Sequence, residues 1–436
     1  MDTFIRLFFT ALICIAVSIP LSLGASVLEI PSSFNLVGSG ARAIGMGGAF
    51  IAVADDATAA SWNPGGLIHL TLPEFSIVAS GFHREEAIRF GTNPGADGSH
   101  SVSEPDSINY LSAVCPFGLF DRNMVVSLTY QQLYDMDREW TFTFDKPLTG
   151  IEDHWNFQQT GSLSALGLSY CVQVIPDLSV GITLNLWEDD LSHNRWENRY
   201  STTSTAGDMP LFRFDRKETH SFSGFNANIG VLWYVSHKLS LGAVLKTPFR
   251  ADVRYVSREI QTYKSEPEDI IFSEEDARND EIRMPMSYGL GLVYKFSDHF
   301  FMSADIYRTE WDDFLYREEN GTERSPLTGK LMSESDISPT HQVRLGAEYR
   351  LTNKKKGYII PIRGGIFYDP APAQSGTDDF LGFSLGSGFT LNDRFSIDIA
   401  YQYRFGDDVG RYMLENLEFS QNVDEHKVYL SVIFYP

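Results

Sequence analysis

Cysteine is scarce. The chain has 3 in 436 residues, and Cys14 lies in an apolar run near the start. Loss of that run leaves Cys115 and Cys171, too few for a disulfide framework or a zinc cage. The two end predicted strands with another strand between them, beyond the roughly 7 Å Cα reach of a disulfide. Positive charge is short as well, with 35 Lys and Arg against 57 Asp and Glu for a formal net charge of -22, and no basic stripe. Nucleic acid is thereby excluded as a partner, because phosphate contacts need clustered cations. Beyond the first residues no apolar run is long enough for a membrane helix, so a place in a membrane requires a closed barrel.

Catalytic and cofactor signatures are also wanting. "GSGARA" at 38–43 has no preceding strand in a βαβ unit, as a dinucleotide site requires. "GFSLG" at 382–386 spells a nucleophile elbow, but Ser384 falls inside an alternating strand rather than a strand-turn-helix. The acidic stretch "EPEDIIFSEEDARNDE" at 266–281 matches no calcium-loop spacing and is expected to be an exposed, solvated loop. The 10 His are scattered. No catalytic residue, metal or cofactor is therefore assigned.

What the sequence does hold begins with "MDTFIRLFFTALICIAVSIPLSLGA": one Arg, an apolar run, then small residues at Ser22 and Gly24. This is the layout of a secretory signal peptide, expected over 1–24.

Strict alternation follows. In "FSIDIAYQYRFG" Phe395, Ile397, Ile399, Tyr401, Tyr403 and Phe405 share one face, while Ser396, Asp398, Ala400, Gln402 and Arg404 share the other. "LSVGITLNLW" from Leu178 and "QVRLGAEYRL" from Gln342 repeat the pattern, the second placing Arg344 and Glu348 on its polar face. Period two with one wholly apolar face is a strand between two environments. About fourteen such strands are expected between 74 and 435. Short turns at 175–177, 236–238, 297–299 and 392–393 alternate with long polar loops at 87–105, 191–218, 256–282, 316–337 and 409–424. That rhythm belongs to an all-β fold, a transmembrane antiparallel β-barrel with tight periplasmic turns and long outer loops. Arg344, Glu348, Asp398 and Arg404 then face the lumen, where pairing with one another or with a plug is expected before contact with an anionic ligand. The final strand, "KVYLSVIFY", ends in aromatics before Pro436.

"ARAIGMGGAFIAVADDATAASWNPGGL", 41–67, does not alternate. A lumen of this size stays open unless filled, and Gly45, Gly47, Gly48 and Gly65 permit tight turns and close approach. Asp55 or Asp56 is expected to cap a short helix through "DATAASW", and Asn63 before Pro64 to end it. The expected organisation is a signal peptide at 1–24, a small helical plug at 25–72 and the barrel at 73–436.

These residues, "GARAIGMGGAFIAVADDATAASWNPGGL" followed by alternating strands, resemble the outer-membrane long-chain fatty acid transporter (FadL) superfamily, including its PorV-like relatives. Asn63 and Pro64 match the Asn-Pro-Ala hatch motif of that family, with Gly65 in place of the alanine. The resemblance implies a fourteen-stranded barrel in the outer membrane of a Gram-negative-type bacterium. It also implies a hydrophobic ligand such as a long-chain fatty acid or hydrocarbon, a gating hatch that includes Arg42, lateral release into outer-membrane lipid, and insertion by the barrel-assembly machinery. The PorV-like branch implies instead a barrel that binds or carries exported proteins, and the motif leaves both open.

Overall fold

The computed structural model describes residues 33–35, 38–391 and 394–436; the expected signal peptide and the turn at 392–393 lie outside them. Fourteen strands form the wall: β1 Glu74–Phe90, β2 Gly98–Leu119, β3 Arg122–Asp135, β4 Ile151–Ile175, β5 Leu178–Trp187, β6 Met209–Tyr234 and β7 Leu239–Lys246. They continue as β8 Ser287–Lys295, β9 Phe300–Thr309, β10 Thr340–Asn353, β11 Tyr358–Tyr368, β12 Leu381–Leu391, β13 Phe395–Val409 and β14 Phe419–Phe434. Each pairs antiparallel with the next. The sheet closes on itself where β14 pairs with β1 from Phe75↔Phe434 to Phe90↔Phe419. Closure gives every wall strand a partner on both sides, as a sheet that crosses a bilayer requires.

The two faces differ as the alternation requires. Large apolar side chains on every side of the wall point away from the centre and are exposed, among them Leu128 at 63% and Leu290 at 62%. In water so broad an apolar surface has no place on a monomer; in lipid it is the contact face. Their sequence neighbours point inward and are buried, including Ser127, Ser303, Ser384 and Ser431. Turns on the other side of the wall are short. Phe120 and Asp121, the whole link between β2 and β3, both take positive φ (54° and 56°), the geometry of a two-residue hairpin turn that follows the twist of its strands.

The long connections are corrected by the structure. The stretches at 191–218 and 256–282 are not loops: Arg195–Ala206, Phe249–Tyr263 and Ile270–Met284 are strands, and β6 begins at Met209. A further strand, Arg138–Lys146, pairs with β4. Together they raise one side of the wall into an outer sheet running 138–146, β4, 195–206, β6, 249–263, 270–284. Strands standing in water need no apolar outer band, so their polar faces read as loop. Within 87–105, β1 and β2 extend toward each other, and β14 starts inside 409–424. The connection at 316–337 carries only short paired pieces, Leu315–Arg317 and Glu323–Arg324.

Residues 38–70 lie within the lumen. Helix α1 spans Ala41–Gly45 and α2 spans Ala59–Trp62, followed by a 3-10 turn at Pro64–His69. The single expected helix is thus a short one preceded by another. Asp56 does not cap α2 directly: its Oδ1 accepts from the Thr58 amide at 2.9 Å and hydroxyl at 2.6 Å, a side-chain turn that leads into the helix. Asn63 is extended (φ -149°, ψ 101°), as the residue before a proline must be, and α2 stops there.

Candidate functional site

Small residues let the internal segment approach the wall. Gly47 and Gly48 hold φ at +69° and +72°, and a Cβ on the wall glycine Gly365 would stand 2.3 Å from the Gly47 nitrogen. A Cβ on Gly230 would stand 2.0 Å from Asn63 Oδ1. Gly45 packs on Gly386, and Gly65 on the Gly230 carbonyl. The backbone polar groups of the segment, which have few partners of their own, are met by wall side chains. Ser431 Oγ accepts from Ala41 N at 2.7 Å, and Ser384 Oγ from Gly47 N at 2.7 Å. Asp305 Oδ2 accepts from Phe50 N at 2.6 Å and Ile51 N at 2.9 Å. Ser179 and Thr183 donate to the carbonyls of Gly65 and Ala60, and Tyr110 to that of Ala57. Buried backbone groups are rarely left unpaired, so these bonds determine the docked position.

Asn63 ties the segment to itself and to the wall. Its Nδ2 donates to Ile51 O at 2.8 Å and Val231 O at 3.0 Å, while Oδ1 accepts from Gly65 N at 3.0 Å. Pro64 supplies the next residue without an amide that would need a partner.

Charge is organised as a ladder of alternating sign. Arg42 pairs with Asp55, lies 3.5 Å from Asp56 and donates to Glu348 at 3.1 Å. Glu348 also accepts from Arg363 at 2.6 Å and Arg350 at 2.5 Å, and Arg363 reaches Asp398 at 2.5 Å. Higher in the lumen Arg344 donates to Gly47 O at 3.0 Å and lies 3.6 Å from Asp369. Arg404 stands 3.1 Å from Asp369 and 3.8 Å from Glu425. Glu425 in turn meets Arg84 and Lys427, and Arg84 and Arg138 share Glu86. Within the segment, burial would lift the Asp55 carboxyl, but the charges of Arg42, His69 and Arg350 outweigh it and hold it low. Burial, added to by Asp55, raises Asp56 despite Arg42 and the Thr58 bonds.

The structure brings Arg42, Asp55, Asp56, Glu348 and Asp398 into one network and places Arg344 and Arg404 in a second, higher one around Asp369 and Glu425. Arg363, Asp369 and Asp305 were missed by sequence reasoning. Alternation carries the signal for Arg363 and Asp305, each buried between outward apolar neighbours such as Ile362 and Ile306; Asp369 follows the end of β11 and has no such signal.

The wall is not sealed at every height. β2 and β3 pair only from Leu119↔Arg122 to Tyr110↔Gln131. Above that point β2 continues against β1 alone, and β3 against β4 alone. Both neighbouring ladders slip there, at Val78/Ala79 and Ser80/Phe82 and at Gln132/Tyr134. Asn109 bonds across the gap to Gln132 O at 3.2 Å, and above it Glu104 of β2 is hydrogen-bonded to Asp135 of β3. A cavity lies directly inside it, lined by Gly81, Ser107, Asn109, Gln132, the internal residues Gly38 and Ile44, and the ladder residues Arg344, Arg404 and Lys427. A second cavity is lined by the aromatic residues Phe34, Trp187, Phe249 and Trp311 together with Lys246, Asn185, Asn226 and Asn228, and Trp187 Nε1 donates to Asn226 Oδ1 at 2.9 Å.

Residues 32–424 match the family model for outer membrane protein transport proteins (OMPP1/FadL/TodX). Among solved structures, a Pseudomonas aeruginosa FadL homologue is 14% identical with a TM-score of 0.64, covering 93% of this chain and 100% of that one. The Pseudomonas putida toluene transporter TodX is 14% identical with a TM-score of 0.57, covering 92% and 99%. The Ralstonia pickettii toluene transporter TbuX is 14% identical with a TM-score of 0.54, covering 92% and 100%. At such identity these neighbours speak for the fold alone. No curated protein matches the sequence.

Proposed function

The chain belongs to the outer membrane transport protein family OMPP1/FadL/TodX, and from that premise we propose that it passes hydrophobic small molecules through its lumen, with residues 41–67 as the gate. The observation that carries this is the cavity lying between the internal segment and the unpaired stretch of β2 and β3. A solute held there, beside the segment and the ladder charges that line the cavity, has a sideways exit into the lipid and need not pass on into water. The family is one of transport proteins, and no catalytic step is assigned.

The second cavity favours an amphipathic solute, an apolar chain ending in a carboxylate, over a bare hydrocarbon. Its aromatic rings suit the chain, and Lys246 with three amides suits an anionic head group. Lys246→Met tests this. Equilibrium binding of a long-chain fatty acid to the purified barrel is expected to weaken about ten-fold, the ~1.4 kcal/mol of a lost charge-assisted bond, while toluene binding is unchanged. Equal loss for both solutes, or for neither, contradicts the head-group assignment.

A further inference from the structure

The outer sheet ends in an open edge. Its last long strand, Ile270–Met284, pairs on the far side only at Glu281–Arg283 with Leu315–Arg317. Asn279 donates its backbone amide outward to Glu319 at 3.2 Å, which sets the parity: odd residues turn their N–H and C=O away from the 249–263 strand. Ile271, Ser273, Glu275 and Ala277 therefore present both groups to solvent, and all of 270–277 is exposed. The ladder behind them runs from Phe249↔Met284 to Tyr263↔Ile270 without a register shift. Natural edges are blunted by bulges, prolines, charged side chains or short length, because an open one is a template for another strand; here charge is the device present, at Glu274, Glu275 and Asp276. This edge is long and unbulged, and at its tip Ile270, Ile271 and Phe272 are 46%, 64% and 58% exposed.

We propose that residues 270–277 are a docking strand that receives, by strand addition outside the cell, an extended lysine- or arginine-rich segment of another protein. The charge of the edge selects that partner. Glu274 stands directly opposite Glu259 in the ladder, a like-charge pair that a cation on an added strand would relieve. Glu275 and Asp276 follow it, each shared with one Arg at 3.4 and 3.1 Å. A second copy is selected against in the registers that cover the acidic stretch. Antiparallel self-pairing centred on Ser273 sets Ile271 against Glu275 and Phe272 against Glu274, and a register centred on Glu275 sets acid against acid. A partner with apolar residues facing the tip and cations facing 274–276 meets neither conflict.

The test uses the full chain in detergent micelles and a fluorescein-labelled peptide of four Lys-Val repeats, followed by anisotropy. Saturable binding is expected. Ser273→Pro removes one edge-facing amide on the side the 249–263 strand does not use, and is expected to weaken binding at least ten-fold. Glu274→Lys is expected to do the same, and the same peptide N-methylated at alternate residues, with its charge intact, is expected not to bind the unaltered chain. Heat-modifiable gel mobility confirms that each variant is a folded barrel. Failure of the peptide to bind, or affinity unchanged by Ser273→Pro and by N-methylation, overturns the proposal, the second result marking general attraction to an acidic surface. So does a dimer in sedimentation that Ser273→Pro converts to monomer, since a second copy would then own the edge.

Discussion

Arg42 is where the internal segment and the wall meet as charges. It serves Asp55, Asp56 and Glu348 together, and buried cations of this kind are tolerated only while their partners stay. The two aspartates pull docking in opposite directions with pH. The docked-state value of Asp55 is lowered, so its contribution is complete above the ordinary carboxylate value near ~3.9 and is lost as pH falls through the lower value. The docked-state value of Asp56 is raised, so its charge opposes docking increasingly as pH rises through that value. Asp55→Asn is therefore expected to destabilise the docked state at pH 7 and to flatten its decline in acid, while Asp56→Asn stabilises it at pH 7. Protection of the 41–67 amides against hydrogen exchange in the two variants from pH 3 to 7 checks both signs; shifts of the same sign at pH 7 contradict the assignment. At this scale the sequence was legible wherever alternation was clean. Arg344, Glu348, Asp398 and Arg404 all fall on inward positions and are buried. Their partners were not legible, because pairing across strands depends on register and on which strands are neighbours, as for Arg363 on β11 between Glu348 on β10 and Asp398 on β13.

At the scale of elements the internal segment fits because wall glycines leave space for it. Gly230 makes room for Asn63 and Pro64 and Gly242 for Ile51, while Gly224 makes room for a wall ring, Phe249, and Gly382 for another, Phe367. The break between β2 and β3 is the element with the clearest functional consequence. Tyr110↔Gln131 is the last paired position, so Asn109→Cys and Gln132→Cys stand at the next step and can be joined by oxidation. The closed pair is expected to cut uptake of a long-chain fatty acid by an order of magnitude, with recovery on reduction and unchanged barrel mobility. Full uptake through the closed pair would mean the exit lies elsewhere. Alternation in the sequence located the fourteen wall strands, since lipid on one side and a polar lumen on the other impose period two, but not all of their outer ends: β2, β6 and β14 begin at Gly98, Met209 and Phe419, several residues before the alternation is clean. The outer sheet escaped it. Strand 270–284 carries Ser-Glu-Glu-Asp on faces that both meet water, and nothing in composition then separates a strand from a loop.

As a whole molecule the protein is a closed tube with an apolar outer band, a charged inner ladder and a docked segment stitched to several strands of the wall. The tube itself owes little to the segment. Its fourteen strands close through their own ladders, and the segment adds contacts only on the inner face. Removing the segment should therefore empty the lumen without opening the barrel. The measurement that decides whether it is a gate is the ion conductance of the purified chain in planar bilayers, with and without residues 41–67. A gate requires near silence from the full chain and a steady water-filled conductance from the deletion, which still migrates as a folded barrel. Equal conductance from the two would contradict that role, for the segment would then fill space in the lumen without closing it.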